Sequence, residues 1–139
     1  MKPWLLLVVL GLGCATASAQ STSLDDGFSL PSKRLQCQFA PDGPAFTLRC
    51  DVLEPAFKAP RQPADCTLAW GDSLGLDDNG KPYFTCHGDT VVDLARPVLA
   101  YGQVWRRGGI NCVSSTAGVR CSNRDGHGFE LARARYRLF

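Results

Sequence analysis

The sequence predicts a mostly-β fold: one disulfide-stapled domain of short antiparallel strands and hairpins, a small sandwich or barrel. Three observations carry that expectation. Apolar and polar residues alternate in short runs, nearly all bounded by Gly, Pro, Asn or Asp. No window of about a dozen residues holds an apolar stripe at helical period. The chain has 139 residues and seven cysteines, none in C-x-x-C or C-x-x-H spacing, which suits disulfides better than a metal site.

Met1 to Ala19 reads as a secretory signal. Lys2 supplies the charge, Trp4 to Leu12 the apolar core, and Ala17-Ser18-Ala19 an A-x-A cleavage site. Its removal leaves 139 − 19 = 120 residues from Gln20, enough for one domain. Cys14 leaves with it; as a lipidated residue it would want a Leu-like residue where Gly11 stands. Six cysteines remain, an even number that implies disulfides in the periplasm or cell exterior. No later apolar run approaches the roughly 20 residues of a membrane helix.

Residues 20–27 are expected to be a loose, flexible lead-in, and 28–139 the single β-rich, cysteine-rich domain. Candidate strands are Phe28-Leu30, Leu35-Phe39, Phe46-Val52, Cys66-Trp70, Tyr83-Cys86, Val91-Leu94, Val98-Tyr101, Ile110-Val113, Val119-Cys121, Phe129-Leu131 and Ala134-Leu138. Folding about Gly43-Pro44 sets Cys37 opposite Cys50, and folding about Thr116-Ala117 sets Cys112 opposite Cys121. Cys66 and Cys86 are left for each other, although six cysteines allow 15 pairings and sequence alone does not choose. Pro55, Pro60 and Pro63 break Leu53 to Asp65 into an irregular connection. Gly27-Phe28-Ser29-Leu30 and Gly128-Phe129-Glu130-Leu131 echo each other, as a duplication or as shared hairpin grammar.

Charge is uneven. Gln20 to Gly102 holds 7 Lys/Arg and 11 Asp/Glu, net −4, whereas Gln103 to Phe139 holds 7 Arg and 2 acids, net +5. The near-neutral whole gives no support to a nucleic-acid role. Arg133, Arg135 and Arg137 alternate with Ala134, Tyr136 and Leu138, which on a strand directs three guanidinium groups to one face. That strip is either a solvated edge or a binding site for an anionic partner.

Catalytic candidates are poor. Gly71-Asp72-Ser73-Leu74-Gly75 spells a GDSL signature and fits a nucleophile elbow, which would make Ser73 a serine-hydrolase nucleophile. The elbow needs a helix after it, and Leu76 to Pro82 cannot open one, so the segment reads as the loop between Trp70 and Tyr83. His87 and His127 could be general bases, but a lone His in a Gly-rich turn more often bonds the backbone. No metal set, cofactor site or apolar-lodged carboxylate stands out. Trp70, Tyr101 and Trp105 could stack on a sugar, and their apolar settings favour core instead.

Phe28-Ser29-Leu30-Pro31-Ser32, Leu35-Gln36-Cys37, Leu48-Arg49-Cys50-Asp51, Trp70-Gly71, Cys86-His87-Gly88-Asp89-Thr90, Leu99-Ala100-Tyr101-Gly102, Gly118-Val119-Arg120-Cys121 and Gly126 to Leu131 resemble, in that order, small exported bacterial proteins of the domain of unknown function 6636 family. The resemblance implies one cysteine-rich exported domain and no assigned activity, ligand or catalytic residue. Lys33-Arg34 departs from the Gly-Asn of the typical pattern. The expected function is a non-enzymatic binding or envelope-associated module with an acidic or anionic partner, a protein or an envelope component. The alternatives are an inhibitor of a secreted enzyme, presenting the cystine-clamped Ser114 to Gly118 loop, and hydrolysis at Ser73.

Overall fold

The structure, a computed structural model, describes Leu24, residues 26–41 and residues 47–139. The expected signal, most of the expected lead-in and the expected turn at Gly43-Pro44 lie outside the described residues. Ten strands are seen: β1 (Gly27–Ser29), β2 (Leu35–Phe39), β3 (Leu48–Val52), β4 (Ser73–Leu76), β5 (Tyr83–Phe84), β6 (Val104–Arg107), β7 (Ile110–Ser115), β8 (Gly118–Ser122), β9 (Gly128–Ala132) and β10 (Arg135–Leu138). They form two antiparallel sheets of five, ordered β1-β2-β3-β4-β5 and β10-β9-β8-β7-β6. The fold is therefore all-β among the described residues, with three disulfides.

The bridges are Cys37–Cys50, Cys66–Cys86 and Cys112–Cys121. Hairpin register dictates the first and last, whose cysteines are direct cross-strand partners with α-carbons 4.0 and 4.1 Å apart. Across the first sheet Phe28, Cys37, Cys50, Leu74 and Phe84 make one apolar row, and Trp105, Cys112, Cys121 and Phe129 make its counterpart in the second. These rows enter one core. Phe28 and Phe39 each lie 5.5 Å from Trp105, and Phe84 lies 5.0 Å from Tyr136, so aromatic contacts join the sheets.

The two Gly-Phe-x-Leu segments pair alike. Phe28 faces Cys37 with Gly27 beside it, and Phe129 faces Cys121 with Gly128 beside it. A β-carbon on Gly27 would lie 2.0 Å from the Cys37 carbonyl oxygen, and one on Gly128 1.9 Å from that of Cys121, so both strand starts demand glycine. Chain order is inverted, however: Gly-Phe precedes its cystine hairpin in the first sheet and follows it in the second. Shared hairpin grammar accounts for the echo, and tandem duplication would not invert it.

The sheets differ in what covers them. In the second, burial alternates along β7, with Ile110, Cys112 and Ser114 buried and Asn111, Val113 and Ser115 exposed, so one face meets solvent. In the first, every residue of β3 and β4 is buried. Its outer face is roofed by residues 85–99, while Phe57 and Trp70 of the 53–72 segment pack on Tyr136 and Phe84 at the core; both segments correct expected strands. Cys66-Trp70, Val91-Leu94 and Val98-Tyr101 form no ladder: Ala69 makes a single bridge with His87 in the neighbouring loop, Val98 a single bridge with Ser29 of β1, and residues 91–94 meet the sheet through side chains. Ser73, expected in a loop, lies within β4, because Leu74 and Leu76 alternate into the core and Gly75 opposes Arg49. Residues 104–107, overlooked as a strand, pair with β7 through Trp105 opposite Cys112.

Candidate functional site

The roof on the first sheet is held by buried polar residues. Ser29, Gln36, Asp51 and Ser73 are cross-strand neighbours in turn, and the Thr85 amide donates to the Ser73 carbonyl, so a polar row crosses the sheet opposite the apolar one. All five are at most 9% exposed. Such groups are costly unless partnered, and here they are. The Gln36 side-chain oxygen accepts from the Asp93 amide at 2.9 Å. Asp51 accepts from Arg49, from the Thr90 hydroxyl at 3.1 Å and from the Val91 amide at 3.0 Å.

Arg49 is the hub. Its Nε donates to Asp51 at 2.8 Å and Ser73 at 3.0 Å, Nη1 to the Asp89 carboxylate at 2.7 Å, and Nη2 to Asp51 and the Asp89 carbonyl at 3.0 Å. Burial opposes its charge, but the Asp51 and Asp89 carboxylates outweigh that and raise its pKa; the same contact lowers that of Asp89. His87 closes the clamp, Nδ1 facing the Asp89 carbonyl at 2.6 Å and Nε2 the Asp72 carboxylate at 2.7 Å. Tyr83 flanks it, its phenol pushed up to about 12 by burial and by the neighbouring Asp77. A cleft of about 570 Å³ opens above Thr85 to Asp89. Two segments carrying the family resemblance, Leu48 to Asp51 and Cys86 to Thr90, thus meet in one network.

That network fastens; it is not laid out for acyl transfer. Ser73 is 1% exposed and its hydroxyl accepts from Arg49 and from Thr85, with no histidine among its partners. His127 lines a separate cavity with Lys81, Pro82 and Phe139. Among the described residues no group of three or more His, Cys, Asp or Glu is placed to hold a metal ion.

The arginines expected as a strip are divided. Arg135 and Arg137 lie in β10, whereas Arg133 falls in the turn before it. On the open face of the second sheet Val104, Val113, Arg120, Glu130 and Arg137 form a row. There Glu130 accepts two bonds from Arg137, at 2.8 and 3.1 Å, and one from Arg120 at 3.0 Å, which lowers its carboxyl pKa and raises that of Arg137. Both guanidinium groups also lie over the Phe139 ring.

Arg135, two residues before Arg137 on β10, also borders a depression with Arg120 and Glu130, whereas Arg133 lies in the turn before the strand. With Arg34, Ser32, Leu35, Tyr101 and Thr116, Arg133 and Arg135 line a groove of about 310 Å³ where the β1–β2, β7–β8 and β9–β10 turns meet, and among the described residues no Asp or Glu lines it. Arg34 is paired with Glu54 at 2.7 Å, both largely exposed, while Arg135 reaches only the Ala117 carbonyl at 3.4 Å. Tyr101, expected in the core, is 49% exposed; Trp105 is buried, and Trp70 is half-buried with its indole N–H on the Pro60 carbonyl. Sequence reasoning overlooked Arg34, whose only signal was the Lys33-Arg34 departure. The structure places Lys33 at φ 62°, the left-handed backbone for which a glycine is suited.

No curated protein and no solved structure matches the chain. A family model does, over residues 5–139, and with nearly its whole length matched the chain belongs to the family of unknown function DUF6636.

Proposed function

We propose that this protein is an exported, non-catalytic binding domain whose acidic or anionic partner, a protein or an envelope component, meets the Arg-rich C-terminal quarter. One observation carries the reading: Arg133 and Arg135, from the stretch with 7 Arg against 2 acids, line with Arg34 a groove that has no acidic residue among the described residues. Three cystines suit an oxidising compartment. Arg137 contributes less, because Glu130 already holds it in two hydrogen bonds.

Retention on immobilised polyaspartate tests the reading. The Arg133→Gln/Arg135→Gln protein should elute at clearly lower salt than wild type, and Arg137→Gln should shift elution less. Elution of the double variant together with wild type would remove the groove from the account.

A further inference from the structure

We infer that the groove takes an acidic saccharide, a glycan bearing carboxylates on its sugar rings, with a sugar face stacked on Tyr101 and a carboxylate held by Arg133 and Arg135. This rests on the anionic-partner reading above and names the ligand class. Arginines alone would suit any polyanion; the aromatic residue beside them narrows the choice. Tyr101 is 49% exposed, the one aromatic residue among the described residues of a groove otherwise lined by arginines, hydroxyls, small side chains and the buried Leu30 and Leu35. An exposed phenol ring offers an apolar plane for sugar C–H groups and a polar tip for a hydroxyl, which a peptide carboxylate does not need.

Its presentation is fixed in advance. Tyr101 and Gly102 are the central residues of a tight turn in which the Gln103 amide donates to the Ala100 carbonyl at 3.0 Å, and Gly102 takes φ 84° as a type II turn requires. The Gln103 side chain accepts from the Ala100 amide at 3.0 Å, and the Gly102 amide donates to the Ser114 carbonyl at 2.7 Å, tying the turn to β7. Thr116-Ala117, also in the lining, tips the hairpin clamped by Cys112–Cys121. Little ordering is therefore left to do on binding. Arg133 and Arg135 supply planar donors that match a carboxylate, and Ser32 and Thr116 supply hydroxyls to sugar hydroxyls.

Calorimetric titration of the oxidised protein with α-1,4-hexagalacturonate, its fully methyl-esterified form and hexa-aspartate tests this. Hexagalacturonate should bind, and esterification should weaken it on the order of tenfold or more. Tyr101→Ala should weaken the acidic hexasaccharide about tenfold, leave hexa-aspartate unchanged and be rescued by Tyr101→Phe. Arg133→Gln/Arg135→Gln should weaken both anions. Failure of hexagalacturonate to bind, or indifference of its binding to Tyr101→Ala, overturns the saccharide inference. Hexa-aspartate binding that still needs the two arginines would then leave the broader reading standing. If neither anion binds, or neither responds to the arginine substitutions, that reading falls too.

Discussion

Arg49 and Asp51 sit two residues apart on β3, both under 5% exposed, and each is the other's main charge partner. Removing one leaves the other buried and uncompensated, so Arg49→Ala should lower unfolding free energy by about 3–5 kcal/mol, and Asp51→Leu, which also strips the Thr90 hydroxyl and the Val91 amide of their acceptor, by at least as much. Urea melts read both. Asp89, held below the ordinary aspartate value of 3.8 by the Arg49 hydrogen bond, gives a pH dependence of definite sign. Its contribution is complete above that value and is lost as pH falls through the lowered folded value, so acid unfolding should be shallower in Asp89→Asn. Lys33 at φ 62° bears a side chain in a left-handed conformation, and Lys33→Gly should raise stability by roughly 1 kcal/mol. Little of the Arg49 network was legible beforehand. Alternation of Arg49 and Asp51 with Leu48, Cys50 and Val52 reads as a half-exposed strand, and only the roof, brought in by residues distant in sequence, buries the charges.

The hairpins were legible because their information is local. Leu35, Cys37 and Phe39 alternate against Leu48, Cys50 and Val52, and a one-residue slip would turn every one of them outward, so register and cystine pairing follow together. β4 was not legible, since Gly71 and Asp77-Asp78-Asn79-Gly80 punctuate both ends so closely that four strand residues look like part of a turn. Residues 91–94 and 98–101 show alternation without a ladder, because the covering segment takes its register from side chains such as Gln36 and Asp51. The Cys66–Cys86 bridge ties the start of that cover to the 53–72 segment. Removing it with paired Ala substitutions should cost about 2–4 kcal/mol and should raise amide exchange in residues 85–99 well before β7 and β8. At β9, Gly128→Ala would drive a methyl into the Cys121 carbonyl; a loss of more than about 2 kcal/mol is expected, with a smaller one for Gly126→Ala, where a β-carbon meets nothing within 4 Å.

The whole molecule is asymmetric in cover and in charge. One sheet is closed on both faces, inward by the shared core and outward by an irregular roof pinned by a cystine and a charge network, while the other leaves a face in solvent and carries the basic excess. The charge split was plain from composition, but the groove was not. It draws Arg34, Tyr101, Thr116, Arg133 and Arg135 from four separated stretches, and period-2 reading wrongly put Tyr101 in the core. Exposed arginines contribute little to folding, within about 1 kcal/mol each, so Arg133→Gln/Arg135→Gln should melt close to wild type while anion binding weakens and loses salt dependence. The central claim, that anions are received at this groove, is tested most directly by amide chemical-shift mapping of the isotope-labelled oxidised protein titrated with hexagalacturonate. The account predicts shifts concentrated at residues 32–34, 101–103, 115–118 and 132–135, diminishing as salt is raised. Shifts confined to the cleft above Thr85 to Asp89, or spread evenly over the open face of the second sheet, would contradict it.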